Sequence, residues 1–228
     1  MSGIAQNLGE VRGRIAQAAR LAGRDPAEVT LVAVSKTHGP DAIREAYAAG
    51  QRDFGENYAQ ELRDKAGALG DLPGLRWHFI GHLQRNKVRF VAPYAAIVET
   101  VDSERLAAEL SRQVVELGRR IACLVQVNVG EEAQKSGCAP DEAAAVISAV
   151  ERAPGLELLG LMTLPPFDLD AAETSVHFRA LRALRDACGG ASHLPHLSMG
   201  MSHDFEEAVR EGATIVRVGT AIFGGRTL

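Results

Sequence analysis

Residues 30–38, TLVAVSKTH, run from an apolar segment straight into a lysine. Leu31, Val32, Ala33 and Val34 are continuous, partly β-branched and too few for a helix, and Gly39-Pro40 closes the run. That pattern predicts a strand covered on both faces, as in a parallel sheet. Lys36 then stands where the strand leaves the core. Burial there disfavours its ammonium form and lowers its pKa, which makes an amine a nucleophile towards carbonyls, the requirement for a Schiff-base lysine. The alternative is a solvated lysine in a strand-to-helix loop. What else reaches the same face decides between them.

Working outward, Ile4, Leu8, Val11, Ile15, Ala18 and Leu21 recur at helical spacing, so an amphipathic helix precedes the strand and Gly23 ends it. After the strand, Pro40 and Asp41 start a helix through about Ala49, and Gly50 stops it. Strand-like pieces follow near 52–55, 76–81, 95–101, 121–129, 156–163, 196–199 and 214–219. Helical patterns lie between them, most clearly at 103–117, 140–153, 170–188 and 204–211. Strict alternation predicts parallel strands joined by right-handed crossovers. About eight such units predict a (β/α)8 barrel with an additional N-terminal helix, a fold whose length is typically about 250 residues. A doubly wound open sheet is the alternative, and it would carry a glycine fingerprint after its first strand that SKTHGP lacks.

Composition narrows the function classes. The chain has 228 residues, 46% hydrophobic and 24% charged, with no linker-like or low-complexity tract, so one domain over 1–228 is expected. A net charge of -4 speaks against a nucleic-acid partner. Cys123, Cys138 and Cys188 are odd in number and far apart, which suggests neither a disulfide framework nor a zinc site. A cytoplasmic location and no membrane association are expected, because neither a signal segment nor a spanning run is visible.

In a barrel, active residues come from the C-terminal ends of strands, and a phosphate site is often built after strands seven and eight. Strand seven runs into Ser198-Met199-Gly200-Met201-Ser202, then a helix that Ser202 or Asp204 could cap, with Glu207 completing a capping-box pattern. Strand eight runs into Arg217-Val218-Gly219-Thr220. Glycines, hydroxyls and free amides at a helix start suit an anion, although Gly200 and Gly219 could equally serve tight turns. Arg217 shares a face with Ile215 and Gly219. Inside a barrel it needs a partner, either a carboxylate such as Glu56 or a cofactor ring nitrogen, whose protonation it would oppose.

The words SKTH, FGENYAQE, WHFIGHLQRNK, VDS, LLGLMT, LSMGMSHDFEEA and VRVGTAIFG, in order and spacing over nearly the whole chain, resemble the pyridoxal phosphate homeostasis protein family. The resemblance implies a barrel like the N-terminal domain of alanine racemase and pyridoxal 5'-phosphate (PLP) as cofactor. It implies that Lys36 holds PLP as an internal aldimine, that Asn57 lies beside it, that Ser202, Gly219 and Thr220 bind phosphate, and that Arg217 faces the pyridine nitrogen. The implied activity is binding and homeostasis of PLP without turnover, with no catalytic residue, in a monomer that could pass PLP to apo PLP-dependent enzymes. Arg226-Thr227-Leu228 depart mildly from the longer or aromatic tail of relatives.

The competing reading is an amino-acid racemase, which needs a second base opposite Lys36. In alanine racemase that base is a tyrosine, and Tyr47, Tyr58 and Tyr94 all fall in expected helices or early loops. A class I aldolase would place its lysine later in the barrel. His78 and His82 do not share a face as a metal pair would, so no metal is expected. Met162, Met199 and Met201 read as packing. Lys135, in EEAQKSG, is a second possible aldehyde acceptor, with a solvated loop residue the plainer reading.

Overall fold

Each strand pairs in parallel with the next in sequence and the last returns to the first, so the sheet closes into an eight-stranded barrel. The computed structural model describes residues 3–130, 136–166 and 169–225. The strands are β1 (Thr30–Val34), β2 (Asp53–Glu56), β3 (Arg76–Phe79), β4 (Ala95–Val101), β5 (Ile121–Gln126), β6 (Leu156–Met162), β7 (His196–Ser198) and β8 (Ile215–Val218). The helices are α1 (Gly3–Leu21), α2 (Pro40–Ala48), α3 (Ala59–Ala68), α4 (Val88–Val91), α5 (Glu104–Glu116), α6 (Ala143–Arg152), α7 (Ala171–Ala187), α8 (Phe205–Arg210) and α9 (Thr220–Phe223).

The strand pattern follows from two-sided burial. In β1, Leu31 and Ala33 pack outward among the surrounding helices, whereas Val32 belongs to a small interior cluster with Leu124, Met162 and Ile215. In β8, Val216 and Val218 join the outer core while Ile215 faces inward with Arg217, two residues on. The helices form because their apolar positions recur every three or four residues. In α5, Leu106, Ala107, Leu110 and Val114 are buried, and the Ser103 side chain caps the start by accepting from the Leu106 amide.

Two features differ from the expectation. The capping box at Asp204 and Glu207 does not form. The Asp204 carboxylate turns back to accept from the Met201 amide at 2.5 Å, and Glu207 instead accepts from Arg210 at 2.8 Å. A capping box does start α7, between Asp170 and Glu173. The second difference is three helices the periodicity did not single out, α3, α4 and α9, of which α4 and α9 are four residues each.

The N-terminal helix α1 packs against α8 and α9, the helices that follow β7 and β8. Asn7 donates to the Ile222 carbonyl at 2.9 Å, and Arg24 donates to the carbonyls of Val209 and Ala213. Leu8, Val11 and Ile15 are buried there. Among the described residues, no helix is long and apolar enough to cross a membrane.

Candidate functional site

At the C-terminal end of the barrel a cavity of about 770 Å³ opens beside β1, β2 and β8. Its wall includes Lys36, Asn57, Ser202, Arg217, Gly219 and Thr220, the six residues singled out from the sequence. Val34, Ile80, Leu164 and Met201 supply an apolar lining. The volume suits a small molecule, and convergent polar groups in an apolar wall are the usual form of such a site.

Each polar residue is delivered by a strand end. Lys36 lies two residues beyond β1, in a turn that the His38 amide closes by donating to the Ser35 carbonyl at 3.0 Å. Asn57 immediately follows β2, and its Oδ1 is buried with no hydrogen-bond partner among the described residues. A glycine is required opposite: a Cβ on Gly81 would lie 2.0 Å from the Asn57 carbonyl oxygen, so the chain leaving β3 can cross Asn57 only without a side chain. That crossing links the FGEN and FIGH words of the sequence.

Ser202 and Gly219 meet between the loops after β7 and β8, where the Gly219 amide donates to Ser202 Oγ at 3.2 Å. Thr220 opens α9 directly after. Gly200, by contrast, serves packing. It takes a φ of 94°, and a Cβ there would come within 2.5 Å of the Ala208 Cβ, so its absence lets β7 turn tightly over α8.

Arg217 is 3% exposed and its partner is not Glu56. One guanidinium nitrogen donates to Ser198 Oγ at 2.5 Å, another donates to the Thr163 carbonyl at 2.9 Å, and Glu99 lies 3.9 Å away. Glu56 is out of reach because it is held by Ser35 and Lys65 on the other side of β1 and β2. Burial lowers the arginine's pKa while Glu99 raises it, and a guanidinium so placed remains charged.

Behind Arg217 a polar line crosses the barrel interior. Ser198 Oγ donates to Glu99 at 2.5 Å, Glu99 pairs with His78 Nδ1 at 2.6 Å, and His78 Nε2 pairs with Asp53 at 3.1 Å. Asp53 in turn accepts two hydrogen bonds from Arg76 at the opposite end of the barrel. Burial alone would push the His78 imidazole down, but the two carboxylates outweigh it and lift its pKa to about 9. Burial would raise Glu99, yet His78 and Arg217 hold it below its ordinary value. The sequence reading did not find this line. Its trace was there, since Asp53, His78, Glu99 and Arg217 are polar residues inside apolar strands, but their pairing depends on neighbours 21 or more residues apart.

The remaining candidates fall elsewhere. His82 faces Asp102 at 3.5 Å, and among the described residues no group of three or more metal-ligating side chains forms. Met162 belongs to the interior cluster and Met199 to the outer core, whereas Met201 lines the cavity. Lys135 and the tail 226–228 lie outside the described residues. Tyr47 donates to the Pro73 carbonyl, and Tyr94 precedes β4 at the far end of the barrel. Tyr58, 54% exposed, follows Asn57 at the near end but is not part of the cavity wall.

Comparison with known proteins adds four findings. The chain matches the alanine racemase N-terminal domain model over residues 6–227. It is 50% identical over 227 residues to the pyridoxal phosphate homeostasis protein of Pseudomonas aeruginosa, covering 99% of this chain and 97% of that one. PipY of Synechococcus elongatus, solved with PLP bound, superposes with a TM-score of 0.84 at 40% identity, over 97% of this chain and 100% of that one. Alanine racemase of Corynebacterium glutamicum shares the fold alone, at a TM-score of 0.64 and 20% identity, and this chain covers 62% of it.

Proposed function

We propose, because this chain belongs to the pyridoxal phosphate homeostasis protein family within the wider alanine racemase N-terminal domain family, that it binds PLP and serves its intracellular homeostasis without turning over a substrate. The observation that carries the reading is the convergence of Lys36, Asn57, Ser202, Arg217, Gly219 and Thr220 on one cavity. The donor set fits the cofactor part by part. Lys36 offers an amine to an aldehyde, and Ser202, Thr220 and the Gly219 amide offer donors to a phosphate. Arg217, a cation fixed by Ser198 and Thr163, suits an unprotonated ring nitrogen. The unpartnered Asn57 Oδ1 marks a buried acceptor that a ligand group could satisfy.

Bound PLP supplies an aldehyde carbon for an amine and a ring able to accept electrons. In this reading Lys36 holds it as a Schiff base. Arg217 limits the second property by disfavouring a proton on the ring, and none of the tyrosines stands in the cavity wall as an opposing base. One barrel domain over 1–228, acting as a monomer in the cytoplasm and releasing PLP to apo enzymes, completes the proposal. Cys123, Cys138 and Cys188 are free thiols, which suits a reducing compartment. The test is an absorption titration with PLP. A new band near the visible edge that borohydride abolishes is expected, and a spectrum equal to the sum of protein and free PLP would refute the reading.

A further inference from the structure

We propose that Glu61 and Lys65 of α3 are positioning residues that hold the Lys36 turn in its reactive geometry, an inference that rests on the cofactor reading above. The residues on either side of Lys36 are both tied to this pair. The Thr37 amide donates to Glu61 Oε1 at 2.7 Å, and the Ser35 carbonyl accepts from Lys65 Nζ at 2.7 Å. Lys65 also donates to that same Glu61 oxygen and to Glu56, each at 2.7 Å, while the Ser35 hydroxyl donates to Glu56 at 2.6 Å. Glu61 and Lys65 are one helical turn apart, so α3 presents both to the turn at once.

The turn needs holding. Thr37 has a φ of 68°, in the left-handed region that a β-branched residue adopts only under constraint from its surroundings. With the His38 amide bonded back to Ser35, positive φ at the third position is the signature of a type II turn, in which Lys36 occupies the second position. A relaxed Thr37 would swing the Lys36 backbone away from its place between β1 and the cavity. The far side of the turn is clamped as well, because His38 stacks on Phe223 of α9 with ring centroids 5.0 Å apart. Lys65 is 5% exposed and Glu56 fully buried, and burial lifts Glu56 to about 7 despite the adjacent ammonium. Such a buried pair is costly to assemble, and the cavity wall described above does not include it. Lys65 and Glu56 hold Ser35, and Glu61, bridged to Lys65, holds Thr37, so the cluster spans both neighbours of Lys36.

Removing Lys65 would strand Glu56 in the core and endanger folding, so Glu61, whose side chain is 24% exposed, is the residue to vary. Glu61→Ala deletes the acceptor, and Glu61→Gln keeps a carbonyl oxygen in its place. Two rates are read alongside the melting temperature: amide hydrogen exchange at Thr37 in the cofactor-free chain, and attachment of PLP to Lys36 by stopped-flow absorbance. In Glu61→Ala, exchange should quicken and attachment slow, each by on the order of tenfold, the equivalent of one charge-assisted hydrogen bond. Glu61→Gln should stay near wild type in both. Attachment at the wild-type rate in Glu61→Ala, with or without a lowered melting temperature, overturns the positioning role. The exchange arm needs no cofactor: unchanged protection at Thr37 overturns the anchor itself, whereas a wild-type chain that leaves Lys36 unlabelled overturns the cofactor reading.

Discussion

His78 keeps a proton in a place where an isolated histidine would lose it. It is 1% exposed, and only the pairing with Asp53 and Glu99 raises its pKa from 6.5 to about 9. Because the folded value is raised, the stabilisation is fully present below about 6.5 and is lost as pH rises through about 9. By linkage it amounts to about 3 kcal/mol. We therefore expect the urea midpoint of the wild type to fall between pH 7 and pH 10, and that of His78→Gln, which carries no proton to lose, to fall much less. Parallel losses would show that His78 does not hold the interior line together. At this scale Lys36 was legible because one apolar run places it. The line from Asp53 to Arg217 was not, because spacing within a strand says which way a side chain points and not which strand stands opposite.

Elements carry the proposed phosphate side of the site. The loops after β7 and β8 bring Ser202 and Thr220 to one wall although the two residues are far apart in sequence. Ser202→Ala and Thr220→Ala should each weaken PLP retention by about 1–3 kcal/mol, the cost of a hydrogen bond to a charged group. Equilibrium titrations showing unchanged affinity in both would remove them from the phosphate site. The long elements were legible from period alone: α5 and α7 lie within a residue or two of their expected ends, and β4 matches at both. The four-residue helices α4 and α9 were not, because a single turn offers no repeat to recognise. The false capping box at Asp204 has a similar cause. The residue spacing was right, but the turn after Gly200 aims the carboxylate at Met201.

For the whole molecule, closure of the barrel was readable from counting strand-helix units, since eight of them with parallel crossovers have one common solution. What the count did not give is the docking of α1 on α8 and α9, a contact between the two ends of the chain. The barrel fixes Lys36 in the turn after β1 and Arg217 on the neighbouring β8, with Val32 beside Arg217 in register. In the proposed reading this geometry takes a carbonyl compound and, among the described residues, sets no tyrosine in the cavity wall as a second base. With saturating PLP we therefore expect Cα proton exchange of alanine and serine in deuterated water to stay far below about 1 per second, the low end of enzymatic turnover. Exchange at or above that rate would replace the carrier reading with the racemase one. The central claim is that Lys36 is the residue that takes the cofactor. Borohydride reduction of the PLP-loaded protein, followed by peptide mass mapping of wild type and Lys36→Ala, tests it most directly. The account predicts one pyridoxyl group on the peptide containing Lys36 and none in a folded Lys36→Ala variant, and a pyridoxyl group on Lys135 in the wild type, with Lys36 unmodified, would contradict it.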